Sequence, residues 1–303
     1  MAARPQTLPA GAAPVVLGIG LAVTEGVFAP GPAIAALVGA LLIQVGTNLA
    51  NDYYDGVRGV DEPDREGFMR VTAGGLIEPT RVRTAMIGTF GLALGIGIYI
   101  SYVGGLPILV AGLASVVAGL LYTGGPYPYG YYGLGDLFVF VFFGLVAVVG
   151  TFYIQAVQSL AAGPVPMWIP PGTITPEAVL AGVAAGGLST AILVVNNIRD
   201  RESDREAGKR TLAVSIGYRW SRVEYTIVIG LAYVVPLVFW LGYGYEAVVL
   251  APLLTLPLAV SLIRTVWRNT AGEVLNIALE RTGQLLALYA LLFALGLVVP
   301  GVI

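Results

Sequence analysis

Long uninterrupted apolar runs constrain the fold of this chain more than any other feature. Gly, Pro or charged residues separate nine such runs, each close to the roughly 20 residues that a helix needs to cross a bilayer. Of the 303 residues, 57% are apolar and 11% are charged, whereas soluble domains carry about 25% charged residues. The sequence therefore predicts an all-α polytopic membrane protein, because helices satisfy their own backbone hydrogen bonds in lipid.

The charges between the predicted spans indicate an orientation. The spans cover 10–28, 33–54, 83–103, 106–123, 134–157, 177–198, 223–242, 246–266 and 281–300. With the N-terminus inside, all 16 Lys and Arg residues lie in inside segments or at the helix ends beside them. The outside segments then carry none, which is the pattern of the positive-inside rule. We predict nine transmembrane helices and a cytoplasmic N-terminus.

The residue types that the chain lacks limit its chemistry. It has no cysteine and no histidine, which excludes thiol nucleophiles, disulfides and Ser-His catalysis. A reaction must therefore use carboxylates, amides, tyrosine, lysine and arginine. The net charge of −2 says little about partners.

Two polar motifs lie at the inner ends of predicted spans. The first is Asn-Asp-Tyr-Tyr-Asp at 51–55, continuing to Asp61, and the second is the segment 196–210. Residues four apart share a helix face. Asn51 and Asp55 therefore point the same way, and Asn196, Asp200 and Asp204 form a longer row on one face of the second motif. The similar order within 51–67 and 196–208 is either coincidence or, as we favour, a duplicated half-site within a single domain, 1–303.

The two motifs together predict a magnesium–diphosphate site. Carboxylate and amide oxygens suit hard divalent cations, and Mg²⁺ binds through a few carboxylates plus substrate phosphates. Interleaved arginines and lysines are typical of a diphosphate clamp. The alternative is that these charges are merely solvated or paired on the surface. We favour that alternative for four glutamates, namely Glu62, Glu66, Glu202 and Glu206.

A third segment, 121–136, combines five tyrosines with five glycines on the predicted inner face. Its tyrosines are either an interfacial aromatic belt or the wall of a site. Such a wall would suit an aromatic substrate, or would steady a carbocation through the ring faces. The sequence leaves both interpretations open for Tyr129, Tyr131 and Tyr132.

These motifs resemble those of the UbiA superfamily of intramembrane prenyltransferases. The similarity is greatest to the branch that prenylates 1,4-dihydroxy-2-naphthoate in menaquinone synthesis, through residues 4–9, 51–61, 122–128, 196–200 and 208–212. It extends from the first helix to at least Gly217. Gly59 stands where many members have a third aspartate, and Asp136 stands where the branch often has glutamate. The first difference leaves the role of Asp61 less defined.

The resemblance implies a nine-helix bundle around a central cavity that opens to lipid. It also implies prenyl transfer from a prenyl diphosphate to the naphthoate with loss of carbon dioxide, giving demethylmenaquinone, with Mg²⁺ as cofactor. The expected partners are a prenyl diphosphate, an aromatic acid and the lipid bilayer, and no nucleic acid. We expect a multi-pass protein of the plasma membrane whose active site faces the cytoplasm.

Motif positions then imply residue roles. The expected catalytic residues are Asp55, Asp200 and Lys209. The expected Mg²⁺ ligands are Asn51, Asp52, Asp55, Asp61, Asn196, Asp200 and Asp204. The residues expected to contact the diphosphate are Arg65, Arg70, Arg199 and Lys209. Those expected on the acceptor side are Tyr122, Tyr127 and Arg4.

Three alternatives remain from the sequence. A member of the same superfamily can use another acceptor, such as 4-hydroxybenzoate, haem, chlorophyllide or a glycerol-phosphate ether lipid. A cation-coupled secondary transporter also has repeats and intramembrane acids, but it holds those acids near mid-bilayer. A membrane phosphatidyltransferase uses Asp and Mg²⁺, but its continuous Asp-Gly-x-x-Ala-Arg motif does not occur here.

Overall fold

Helices form all the regular structure of the described residues. The computed structural model of the chain describes residues 7–58, 71–72, 74–160, 163 and 165–299. In chain order, the helices are α1 (Leu8–Thr24), α2 (Pro30–Arg58), α3 (Pro79–Leu121), α4 (Gly135–Leu160), α5 (Pro176–Arg199), α6 (Arg201–Glu206), α7 (Leu212–Gly242), α8 (Ala247–Arg268) and α9 (Gly272–Val298). A short 3₁₀ turn, Tyr129–Tyr132, lies between α3 and α4.

Seven of these helices are long and apolar enough to cross a membrane: α2, α3, α4, α5, α7, α8 and α9. The apolar α1 is shorter, with 17 residues. The predicted fold class, an all-α polytopic membrane protein, is therefore confirmed, while the count of nine crossings and the side of the N-terminus stay predictions. Several helices extend past their predicted spans because helix continues into the polar residues beyond the apolar run.

The long helix α3 is a hairpin of two arms. As one straight helix its 43 residues would measure about 65 Å, twice the roughly 30 Å of a bilayer's hydrocarbon core. The backbone breaks at Gly105, where φ is 67° and ψ is −158°. A Cβ placed on Gly119 would lie 3.6 Å from the Phe90 ring, so residues from the two arms pack side by side. The break falls between the predicted spans 83–103 and 106–123.

Glycines allow the central helix α5 to pack closely against its neighbours. Most of α5 is buried, and its Gly182 and Gly186 face α4. A Cβ on Gly144 of α4 would lie 2.5 Å from the Gly182 carbonyl oxygen and from the Gly186 Cα. Small residues at such interfaces let helix backbones approach within lipid, where no hydrophobic force drives association.

The site lies between two packed regions. A large apolar core joins α1, α4, α5, α7, α8 and α9. A smaller cluster joins α2 with the α3 hairpin through residues such as Leu49, Met86 and Phe90. The C-terminal ends of α2 and α5, which carry the two polar motifs, meet at the boundary between these regions.

We expect Gly105→Ala to destabilise the protein. An alanine would be held at a positive φ, and its Cβ would lie 1.9 Å from the Pro166 carbonyl oxygen, which already accepts a hydrogen bond from the Leu106 amide. Residues forced into such backbone conformations cost about 1–3 kcal/mol, so thermal unfolding in detergent should have a lower midpoint.

The control is Gly88→Ala, in the first arm of the same helix. A Cβ there meets no atom within 4 Å, and alanine favours a helix over glycine by about 1 kcal/mol. The midpoint of this variant should be unchanged or slightly higher. Equal midpoints for both variants would contradict the role given to the break at Gly105.

Candidate active site

A cavity of about 870 Å³ lies among α1 to α5, the 3₁₀ turn and the segment that follows α6. Its described charged lining residues are three acids and one base, namely Asp55, Asp200, Asp204 and Lys209. The rest of the cavity is mostly apolar and continues along both arms of α3. Ile98, Leu109 and Leu113 line it there and are also exposed on the outer surface. The cavity is therefore polar at one end and opens at the other towards the lipid-facing surface.

The C-terminal end of α2 supplies the first wall of the polar end. Asn51 accepts a hydrogen bond from the Thr123 hydroxyl at 2.9 Å. The Asp55 carboxylate is 2% exposed and accepts one from the Tyr131 hydroxyl. Burial, and the Asp55 carboxylate next to it, raise the pKa of Tyr131, so Tyr131 stays a neutral donor. Both wall residues are thus joined to the tyrosine-rich segment.

Lys209 connects this wall to the second motif. Its Nζ lies 3.7 Å from an Asp55 carboxylate oxygen and 3.6 Å from one of Asp204. It also lies 4.8 Å from the centre of the Tyr131 ring. Gly208, at φ 76°, ends α6 in the left-handed conformation that favours glycine. The turn there carries the chain back so that Lys209 enters the cavity.

The C-terminal end of α5 supplies the second wall. Arg199 donates to both carboxylate oxygens of Asp200, from Nε at 2.7 Å and from Nη2 at 2.8 Å. Its Nη1 donates to Asn276 of α9 at 2.8 Å. Asn196 accepts from Arg199 at 2.8 Å and donates to Asp200 at 3.4 Å. Asn196 and Asp200 line the cavity, and this network fixes their orientation.

The structure brings most of the predicted metal ligands together at one end of the cavity. Asn51, Asp55, Asn196, Asp200 and Asp204 all line it, and Lys209 contacts acids of both motifs. The two motifs therefore face each other across the cavity. Four predicted site residues, Arg4, Asp61, Arg65 and Arg70, lie outside the described residues.

Three other predicted residues do not line the cavity. Asp52 is one position further round α2 than Asn51, and its carboxylate accepts from the backbone amides of Val71 and Thr72 and from the Thr72 hydroxyl. The guanidinium of Arg199 is held by Asp200 and two asparagines, as described above. Tyr127 is 77% exposed, whereas the predicted acceptor-side Tyr122 does line the cavity.

Several lining residues were not predicted to have roles. Thr7, Gln44 and Asn48 line the cavity further from the acids. The regular spacing of polar residues at 44, 48, 51 and 55 along α2 could have indicated that Gln44 and Asn48 share the face of Asn51 and Asp55. Tyr129 and Tyr131 line the cavity, whereas Tyr132 is exposed. Two of the three tyrosines left open by the sequence therefore belong to the wall.

An aromatic column continues from the polar end into the apolar part of the cavity. Tyr122 meets Tyr129 edge to face, with ring centres 5.4 Å apart. Tyr129 stacks on Phe138 at 4.1 Å, and Phe138 stacks on Phe142 at 5.9 Å. A π-helical segment of α4, Phe140–Val146, carries Phe142, and such segments are frequent at functional sites. The column gives this part of the cavity a wall of ring faces.

The oxygen atoms at the polar end are of the kind that bind divalent cations. It offers carboxylate and amide oxygens without sulfur or imidazole, the donor set that Mg²⁺ prefers. The described residues contain no group of three acids close enough to hold an ion by themselves. Asp55 and Asp204 both lie beside Lys209. This donor set suits an ion bound jointly by the protein and a phosphate ligand.

Comparison with known proteins agrees with this geometry. The sequence profile described as "UbiA prenyltransferase family" matches residues 12–279. The chain belongs to the UbiA prenyltransferase family. It is 37% identical, over 97% of its length and 92% of the relative's, to 1,4-dihydroxy-2-naphthoate octaprenyltransferase of Escherichia coli. It is 36% identical to the protein of that name from Mycobacterium tuberculosis, over 96% and 94% of the two chains.

Solved structures of UbiA homologues share the fold. The apo structure of a homologue from Aeropyrum pernix K1 superposes with a TM-score of 0.70 at 14% identity, covering 97% of this chain and 98% of that one. A homologue from Archaeoglobus fulgidus bound to DMAPP and Mg²⁺ superposes with a TM-score of 0.64 at 17% identity, covering 98% and 97%. At these identities the likeness establishes the fold alone.

We expect Lys209→Met to make the protein more responsive to Mg²⁺. The variant leaves Asp55 and Asp204 without the ammonium group between them, and a divalent ion can take over that neutralisation. Mg²⁺ alone should therefore raise the thermal midpoint more in this variant than in the wild type.

Arg205→Met is the matched control for that measurement. Arg205 is an exposed base that pairs with Glu202 at 2.6 Å and does not line the cavity. Its Mg²⁺ response should equal that of the wild type. An equal response in Lys209→Met would show that Lys209 and a metal ion do not share these carboxylates.

Proposed function

We propose that this UbiA-family protein transfers a polyprenyl group from a prenyl diphosphate to 1,4-dihydroxy-2-naphthoate. The observation that carries the proposal is a single cavity with carboxylates and Lys209 at one end and an apolar, lipid-facing opening at the other. Relatives named for this reaction are 36–37% identical over nearly the whole chain, which supports the naphthoate as acceptor. The whole chain, 1–303, would act as one membrane-embedded domain.

The polar end is proposed to hold the diphosphate with Mg²⁺. Asn51, Asp55, Asn196, Asp200 and Asp204 would hold the ion, and Lys209 would meet the diphosphate. When bound, Mg²⁺ supplies charge that neutralises the leaving diphosphate. A homologue of the same fold has been solved with DMAPP and Mg²⁺, which supports this choice of cofactor. The predicted contacts of Arg65 and Arg70 remain part of the proposal.

Two residues fit these proposed roles less well. Asp52 already accepts three hydrogen bonds from Val71 and Thr72, so we assign it the positioning of that segment. Arg199 holds both oxygens of Asp200. We therefore propose that it orients a metal ligand and does not itself contact the diphosphate.

In the proposed reaction, the allylic carbon of the prenyl group exchanges its bond to the diphosphate for a bond to the naphthoate ring. The allylic C–O bond to the diphosphate breaks, and the cation left behind is steadied by the ring faces of Tyr129, Phe138 and Phe142. The electron-rich naphthoate ring attacks that carbon, and the ring carboxylate leaves as carbon dioxide, which returns its electron pair to the ring. The product is demethylmenaquinone in its reduced form. The long tail would extend past Ile98 and Leu113 into lipid.

The proposed setting is the plasma membrane, with the active site facing the cytoplasm. All Lys and Arg residues fall in the segments or helix ends assigned to the inside, and Lys209 and the acids belong to that side. A soluble aromatic acid would then reach the polar end from the cytoplasm, while the prenyl substrate would enter from the bilayer.

Feeding acceptors to the purified protein tests the proposed function. With labelled prenyl diphosphate and Mg²⁺, we expect a decarboxylated product from 1,4-dihydroxy-2-naphthoate and labelling of 4-hydroxybenzoate that is slower by about tenfold or more, because even the loss of apolar contacts in a pocket costs about that much. Chelation of the divalent ion should stop labelling. Product formed only with another acceptor would contradict the naphthoate assignment, and substrate flux into proteoliposomes without prenylation would indicate a transporter.

A further inference from the structure

We propose that Gln44 recognises a ring hydroxyl of the aromatic acceptor, an inference that rests on the proposed function. Gln44 lies on α2, eleven residues before Asp55, and lines the same cavity. Its side chain is only 6% exposed. Its Oε1 is buried and has no hydrogen-bond partner within the described part of the chain. Burying a polar atom without a partner is costly, so this atom points to a ligand that donates a hydrogen bond.

Neighbouring residues fix the direction of the Gln44 amide. Its Nε2 donates to the Thr7 hydroxyl at 3.0 Å, and Asn48 donates to the same oxygen at 2.9 Å. The nitrogen end of the amide is therefore held at α1, and the oxygen end is the one without a partner among the described residues. An oriented acceptor of this kind selects a ligand hydroxyl and disfavours a carboxylate, which has no proton to donate.

Small residues surround Gln44 on the cavity wall. Gly11 of α1 is so close that a Cβ there would lie 3.2 Å from the Gln44 Cβ and 3.4 Å from the Ala40 carbonyl oxygen. Gly11 and Ala40 both line the cavity, and the missing side chain at Gly11 lets α1 pack closely against α2 beside Gln44. Across the cavity, the buried Ser189 hydroxyl of α5 also lacks a partner among the described residues and offers a second polar contact.

The distance along α2 agrees with an acceptor held here. Eleven residues of helix correspond to about 16 Å. A diphosphate held at the polar end beside Asp55, the allylic carbon and one fused ring would together occupy roughly that length. A hydroxyl on the ring edge far from the diphosphate would then reach Gln44. The residue thus lies where the acceptor, and not the diphosphate, is expected.

The test measures how much each hydroxyl contributes to binding. The inhibition constants of 1,4-dihydroxy-2-naphthoate and its two mono-hydroxy analogues, each lacking one hydroxyl, are determined on the full-length protein. We expect the wild type to bind one analogue about tenfold or more weakly, because a site built around a hydroxyl rejects a ligand without it. In Gln44→Met that difference should fall to about twofold, with the KM for prenyl diphosphate nearly unchanged.

Gln155→Met is the matched control. Gln155 is another fully buried glutamine in a spanning helix, but it does not line the cavity. Both ends of its amide already have partners. Nε2 donates to the Thr151 carbonyl oxygen at 2.8 Å, and Oε1 accepts from the Ala29 amide at 3.5 Å. This variant should keep the wild-type ratio between analogues. Thr7→Val, which removes the group that orients the Gln44 amide, should reduce the ratio partially.

The outcomes separate this inference from the proposed function. If Gln44→Met and Thr7→Val both keep the full wild-type ratios, the assignment of Gln44 is wrong while the enzyme remains a naphthoate prenyltransferase. If the wild type forms no prenylated naphthoate, the proposed function itself is wrong, and the Gln44 assignment is wrong with it.

Discussion

The site depends on one buried ammonium group between two carboxylates. Lys209 contacts Asp55 of α2 and Asp204 beyond α5, and all three side chains are nearly out of solvent. Charges buried in a membrane protein require compensation, and here the compensation joins the two motifs. The turn at Gly208 and the hydrogen bond from Tyr131 to Asp55 both hold this arrangement in place. Two segments that are distant in the sequence thereby form one site in a single cavity.

The cavity separates two kinds of chemistry along its length. Charged and amide groups lie at one end, and ring faces and aliphatic side chains follow. In the proposed reaction, charge develops on the diphosphate at the polar end and on carbon beside the ring faces. Groups that are already fixed in place stabilise both charges without reorganisation. No strong base is needed, because the acceptor ring is already electron-rich and loses carbon dioxide.

Much of this organisation could be predicted from the sequence, because apolar length and four-residue spacing are local signals. They indicated the membrane helices, the hairpin break at Gly105 and the shared face of Asn51 and Asp55. They could not show that Asp52 differs in role from Asn51 and Asp55. The Asp52 carboxylate binds the backbone near residue 71, and that partner is set by the tertiary fold. The pairing of Arg199 with Asp200, and the Gln44 oxygen that has no partner among the described residues, likewise become visible only in the three-dimensional structure.

The central claim is that both motifs act on one Mg²⁺–diphosphate complex. The most direct measurement is Mg²⁺-dependent prenylation by Asp55→Ala and Asp200→Ala, with the exposed Glu206→Ala as control. We predict a loss of about 100-fold or more in each aspartate variant, because each would remove a group that acts on the developing charge, and wild-type activity in the control. Wild-type activity in either aspartate variant would contradict the claim that the two walls form a single site.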